Sequence, residues 1–366
     1  MIRRYLPKSI EELIVWYERR VAPFALLAGF LIDNIFFRAV NLWTATIAFV
    51  LYLLLALVGI FLLNLVETGR VQNAFLLKTA QFLPVVVQFA FGAIFSGFFV
   101  LYSQSATVLA SWLFIGILAL LLVGNERFRR RYSRFPFQVG ILFIALFGFF
   151  IFFVPLVIKR IGPEIFLLSA ALSVVLIALY IYGMRRVMSE LVTPNLTSIA
   201  RTVAAILVVF NVLYFTNAIP PLPLALKDAG IYHSVSRESG GVYKLLEEPV
   251  PWYKKYLRFT TRFHHQAGES AYAYSAIFAP SGLSTLILHE WQRYDQTREE
   301  WITEDTVRFP IVGGRDGGYR GYSIKAGITP GKWRVNVVTQ SGQLIGRILF
   351  SVIDVPGAPL LKEVLK

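Results

Sequence analysis

His289, Trp291, Arg315 and Arg320 are the residues of this 366-residue chain whose types and spacing best suit recognition chemistry. His289 and Trp291 are two apart, so on a strand they point to the same face, together with Ile287. Arg315 lies in Gly313-Gly314-Arg315-Asp316-Gly317-Gly318, a stretch whose backbone can approach a ligand closely. Arg320 follows in Tyr319-Arg320-Gly321-Tyr322-Ser323. Such a set could bind an anionic or sugar-bearing group by stacking and charge-assisted hydrogen bonds. The same residues also have a structural reading. Trp291 and Trp333 would then be core, His289 a hydrogen-bonded polar tip, and the glycines turn-formers.

Other chemistries find little support. Cysteine is absent, which removes disulfides, thiolate metal sites and a thiol nucleophile. The histidines are His233, His264, His265 and His289. Adjacent His264 and His265 would point to opposite strand faces, and zinc-ligand spacing is missing, so no metal and no cofactor is expected. No G-x-S-x-G, P-loop or dinucleotide-binding pattern occurs. Asp33 is the one carboxylate well inside an apolar run, with Asn34 and Arg38 close by. A charge at membrane depth is a functional candidate, or it is structural, paired with Arg38, Asn34 or a neighbouring helix. A transporter would show several such residues, and an intramembrane hydrolase a nucleophile with its base.

The elements that must position these residues fall into two classes. The chain is 56% hydrophobic and only 16% charged, against about a quarter charged in an average globular protein. Runs at 22–39, 42–65, 80–103, 106–124, 138–158, 164–183 and 202–218 are each near the ~20 apolar residues a crossing needs. The first, interrupted by Asp33, Asn34 and Arg38, could instead pair with the second as a re-entrant hairpin. Arg3, Arg4, Lys8, Arg19, Arg20, Arg70, Lys78, the arginines of 127–134, Arg185, Arg186 and Arg201 fall on one side. The other side has only Arg38, Lys159 and Arg160. The asymmetry predicts a cytoplasmic N-terminus and residue 219 onward outside, in the periplasm of a two-membrane bacterium. The basic excess, part of a net charge of +14, is therefore loop charge, and no nucleic-acid groove is expected. Residues 1–21 have capping-box spacing at Ser9 and Glu12 and predict an amphipathic cytoplasmic helix. No cleavable signal pattern is read there.

After Pro220, Pro221 and Pro223 the pattern changes. Residues 220–255 have no clear period and read as a connector, with a basic-aromatic cluster from Trp252 to Tyr256 suited to lipid headgroups. From 257 the period becomes two. Strands are expected at 257–263, 271–279, 283–292, 305–312, 319–325, 332–339 and 344–355, separated by Gly and Pro turns. That predicts an antiparallel, Ig-like sandwich over 256–356 and a tail at 357–366. Trp333, Val335 and Val337 are expected to face Ile348, Phe350 and Val352 across its core.

The ordered motifs Ala279-Pro280, His289-Glu290-Trp291, Gly313-Gly314-Arg315, the 319–323 motif, Pro330-Gly331-Lys332-Trp333-Arg334-Val335 and Gly342…Gly346…Phe350 resemble a bacterial family of unknown function, DUF2914. The resemblance spans 256–355 and implies a small β-domain on an inner-membrane protein, with no implied reaction or cofactor. The expectation is a polytopic α-helical membrane domain over 22–219 followed by a periplasmic β-sandwich. That sandwich would bind a protein partner or an envelope glycan or lipid, with membrane lipids as further partners. The competing class is a membrane enzyme or transporter for a lipid-linked or amphiphilic substrate, with Asp33 and the outer domain lining the site.

Overall fold

The computed structural model describes residues 42–71, 73–105, 108–127, 134–221, 223–249, 261–266, 268–314 and 317–366. The expected helix at 1–21, the run at 22–39 and the cluster from Trp252 to Tyr256 lie outside them. The described chain divides into two compact units, one mainly of helices and one containing all the strands.

In the helical unit the apolar runs form α1 (Leu42–Glu67), α3 (Leu83–Ser105), α4 (Val108–Arg127), α5 (Phe135–Ile158), α6 (Pro163–Val187) and α7 (Ser189–Phe215), with a short α2 (Ala74–Thr79). Among the described residues α1, α3, α5, α6 and α7 are long and apolar enough to cross a membrane. The apolar part of α4, Ser111–Gly124, is shorter. α1 ends on Gly69 in the left-handed region (φ 69°), with Gly69 N–H donating to Val66 O and Arg70 N–H to Leu65 O. The interior is a phenylalanine lattice. Phe49 meets Phe98 at 5.0 Å, and Phe147 meets Phe210 at 4.8 Å between ring centroids. Gly148 makes room for it, because a Cβ there would stand 2.6 Å from the Phe98 ring. One buried polar pair links α1 to α5, with Asn64 Nδ2 donating to Gln138 Oε1 at 2.6 Å. Outward, Ile47, Leu51 and Leu54 on α1, Val175 and Leu179 on α6, and Val208 and Val212 on α7 are exposed. Faces this apolar suit hydrocarbon rather than water.

α7 begins thirteen residues before the expected 202. Only Met188 separates it from α6, so the loop anticipated around Arg185 and Arg201 is helical. The helix accommodates the polar stretch, whose side chains bond to its own carbonyls. Asn195 Nδ2 donates to Leu191 O and Thr202 Oγ1 to Ser198 O. Glu190 in the first turn pairs with Arg70 at 3.4 Å.

The other unit stacks three sheets. The middle one has strands β1 (Ala225–Tyr232), β5 (Ala271–Phe278) and β8 (Tyr319–Lys325) in the order β1-β5-β8. One flank is β4-β10-β9-β6-β7, from β4 (Thr261–His265), β10 (Leu344–Asp354), β9 (Gly331–Thr339), β6 (Ser284–Asp295) and β7 (Glu300–Val312). The other flank is β11-β3-β2, from β11 (Lys362–Leu365), β3 (Tyr243–Glu247) and β2 (Ser234–Arg237). Ile231, Ala271 and Ala273 of the middle sheet share a core with Trp291, Trp333, Val335, Ile348 and Phe350 of the five-stranded sheet. Tyr232, Tyr274 and Ala276 share a second core with Val235, Tyr243 and Leu245.

Four expectations are corrected. The connector 220–255 contains β1, β2 and β3, and β1 pairs with β5 from Ala225↔Phe278 to Tyr232↔Tyr272. A register shift between Leu226 and Asp228 breaks the period-two signal there. The tail supplies β11, antiparallel to β3. The unit is not wholly antiparallel, because β4 runs parallel to β10. Trp333 and Val335 do not oppose Phe350 and Ile348 across the core. They are their neighbours within one sheet, and the opposing residues come from β1 and β5.

Candidate functional site

Alternation along β6 turns His289 and Trp291 inward, and both are completely buried. His289 Nε2 lies 2.8 Å from Ser275 Oγ on β5, and Nδ1 lies 2.8 Å from Ser323 Oγ on β8. Trp291 Nε1 donates to the same Ser323 Oγ at 3.0 Å. One donor direction satisfies the chain: Trp291 to Ser323, Ser323 to Nδ1, and Nε2–H to Ser275. Burial pushes the His289 imidazole down to about 3, so it is neutral. A serine beside an imidazole is the pairing of a nucleophile with its base. Here Ser275 and His289 are fully buried and Ser323 is 2% exposed, so no substrate reaches them. The group is a polar clasp between two sheets.

Arg320 stands three residues from Ser323 and therefore faces the other way along β8. Its Nη1 donates to Gly241 O at 3.3 Å, and its carbonyl accepts from Tyr243 Oη at 3.2 Å. It ties the middle sheet to the β11-β3-β2 layer. His289, Trp291 and Arg320 are not brought together. Arg315, Asp33, Asn34 and Arg38 lie outside the described residues. His233, His264 and His265 do gather. His233 Nδ1 meets Glu269 Oε1 at 2.6 Å, His264 Nδ1 meets Glu248 Oε2 at 2.5 Å, and His265 Nδ1 meets Asp354 Oδ1 at 2.9 Å. Among the described residues no three such groups converge as metal ligands.

The opposite parity of the same strands makes a different surface. Gln292 and Tyr294 on β6, Trp301 and Thr303 on β7, Arg334 and Asn336 on β9, and Arg347 on β10 lie on the outward face of the five-stranded sheet. Register sets Gln292 beside Arg334 and Thr303, and Asn336 beside Arg347. Gln292 Oε1 accepts from Arg334 Nε at 2.6 Å and from Asn336 Nδ2 at 3.2 Å, while its Nε2 donates to Thr303 Oγ1 at 2.8 Å. Asn336 Oδ1 accepts from Arg347 Nε at 2.6 Å. The Arg334 guanidinium lies 4.4 Å from the centre of the Trp301 ring, which meets Tyr294 at 5.2 Å.

Both arginines are thus held at Nε by neutral amides, leaving the Nη groups of each fork for other partners. No ion pair among the described residues involves either one. Burial, then the charge of Arg347, pushes Arg334 down to about 10, with Glu290 acting in the opposite sense. Burial also lowers Arg347. Two half-buried like charges with neutral supports form a surface that an anion would relieve. A sequence signal for it exists in Lys332-Trp333-Arg334-Val335-Asn336-Val337, where polar and apolar residues alternate strictly.

Residues 284–352 match the family described as "Protein of unknown function (DUF2914)". The match is narrower than the 256–355 expected, runs from β6 into β10, and contains the outward arginines together with His289, Trp291 and Ser323 of the inward clasp, but not Ser275. It supports a C-terminal module of this type. No curated protein matches the chain. Among solved structures, an alkylpurine DNA glycosylase of Pseudomonas fluorescens, AlkC bound to DNA containing an abasic site analog, aligns at 13% identity over 80% of this chain and 81% of its own, with a TM-score of 0.18. That score is too low to indicate a shared fold.

Proposed function

We propose that this is a bacterial inner-membrane protein whose C-terminal β-unit is an extracytoplasmic recognition module for an acidic envelope glycan. One observation carries the reading: Arg334 and Arg347 are preorganised side by side by Gln292 and Asn336 with no ion pair among the described residues, and Glu290, set beside Asn336, is the one carboxylate acting on Arg334. Trp301 and Tyr294 next to them offer a platform for a sugar ring. A carboxylate or phosphate on that sugar would take the free guanidinium edges. Seven crossings, a cytoplasmic N-terminus and a periplasmic β-unit belong to the same proposal. They are supported by the membrane-length helices and the Lys and Arg asymmetry. An Ig-like description of the β-unit is likewise proposed, supported by two sheets closing on one core. The reading is non-enzymatic; it is supported by the burial of Ser275 and Ser323, the serines that flank His289 among the described residues.

The test is binding by full-length protein in detergent to arrays of acidic and neutral oligosaccharides. Retention of acidic glycans, reduced at least tenfold in Arg334→Gln and in Arg347→Gln with unfolding midpoints kept, is the expected result. Equal binding of neutral glycans, or unchanged binding by both variants, would refute it.

A further inference from the structure

The turn between α5 and α6 carries two cations that the charge asymmetry does not account for. Lys159 and Arg160 fall on the side otherwise poor in Lys and Arg. Lys159 has φ 59°, a left-handed conformation rare for a residue with a side chain and a form of stored strain often found at functional positions. Its side chain ends over Gly282, where an added Cβ would meet Lys159 Nζ at 2.9 Å. Residues 159–161 belong to the same compact unit as the strands.

Beside them opens a cleft of about 310 Å³ whose polar lining is Arg160, Ser284, Thr285 and Gln340, with Ile161 and Leu286 in its apolar part. Among the described residues no carboxylate lines it. The acid nearest in sequence, Glu164, turns over Gly162. No ion pair among the described residues involves Lys159 or Arg160. The Arg160 guanidinium, with hydroxyl and amide groups of the lining around it, suits the oxygens of a phosphate group. We infer that this cleft binds the phosphate of an anionic lipid headgroup. A lipid is favoured over free phosphate because four residues join two helices of membrane-spanning length, which keeps the turn at headgroup depth. Val157 and Ile158, both exposed, precede Arg160 in the chain and suit an acyl chain.

The experiment is native mass spectrometry of the full-length protein with added phosphatidylglycerol or phosphatidylcholine. Arg160→Gln and Ser284→Asp are compared with Arg201→Gln, an exposed arginine elsewhere, and inorganic phosphate serves as competitor. Preferential retention of phosphatidylglycerol, reduced at least tenfold in Arg160→Gln and Ser284→Asp but not in Arg201→Gln, is expected. Equal loss in all three variants, no loss in any, or displacement of the lipid by millimolar phosphate would overturn the assignment. Acidic glycan binding should be unchanged by Arg160→Gln, so this inference and the proposed function fail separately.

Discussion

Acidification should unfold this protein partly through one buried imidazole. In the folded state burial holds His289 at about 3. In the unfolded chain a histidine titrates near 6.5. Between those values the unfolded chain holds a proton that the folded chain does not, so unfolding becomes easier as pH falls. The stabilisation is fully present above ~6.5 and is lost toward 3, at about 1.4 kcal/mol per pH unit within the window. From pH 7 to pH 5 His289 alone should remove about 2 kcal/mol, a large share of the 5–15 kcal/mol typical of a domain. Charging is also unfavourable for the hydrogen bonds. Nδ1 would become a donor toward Ser323 Oγ, and the Ser323 O–H would lose the acceptor that it has in the neutral clasp.

The assay is urea unfolding of full-length protein in detergent, followed by tryptophan fluorescence at pH 7, 6 and 5, for wild type and His289→Gln. The variant keeps one donor and one acceptor but cannot titrate. It should be weaker at pH 7 by ~1–3 kcal/mol, from the imperfectly paired clasp. Its loss between pH 7 and pH 5 should be smaller than that of wild type by about 2 kcal/mol. His233, His264 and His265 are common to both proteins and cancel in the difference. Parallel pH profiles would show that His289 is reached by solvent, and the clasp would lose its structural assignment.

Trp333→Ala should cost roughly 3–5 kcal/mol, since Trp333 is fully buried and its Nε1 donates to Thr329 O at 2.7 Å; an unchanged urea midpoint would contradict its core position. Reporter fusions after residue 223 should be active only in a periplasm-type compartment and fusions after Arg131 only in the cytoplasm, and the reverse at either point would overturn the topology.

The legible parts of the fold were those where one requirement dominates. A crossing demands a long apolar run, and α1, α3, α5 and α6 begin and end close to where those runs do. The start of α7 was hidden because residues 189–201 are rich in polar residues and contain Pro194, while the partner that satisfies a side chain such as Asn195 lies within the helix itself. Strands β5 to β10 announced themselves by alternation and by glycine turns. The layer β11-β3-β2 did not, because its strands span only four or five residues and its core is drawn from a tyrosine-rich face of β5. No local period records a third sheet.

His289 and Trp291 stand one residue of parity from the outward arginine surface, which on a strand is the whole difference between core and surface. His289 and Trp291 attract notice by their chemistry, yet each finds its partner inside, on serines supplied by the middle sheet. The alternate positions carry plainer residues, Gln292, Arg334, Asn336 and Arg347. Their significance depends on which strands are neighbours, and spacing within one strand cannot give that. Gln292 and Arg334 are forty-two residues apart, yet β6 and β9 set them side by side. A surface arginine usually takes a nearby carboxylate or extends into water. Arg334 and Arg347 instead donate through Nε to neutral amides that bring no compensating charge. An amide fixes a guanidinium without neutralising it, so orientation is kept, and with Glu290 acting on Arg334 without forming an ion pair the guanidinium edges keep room for an anion.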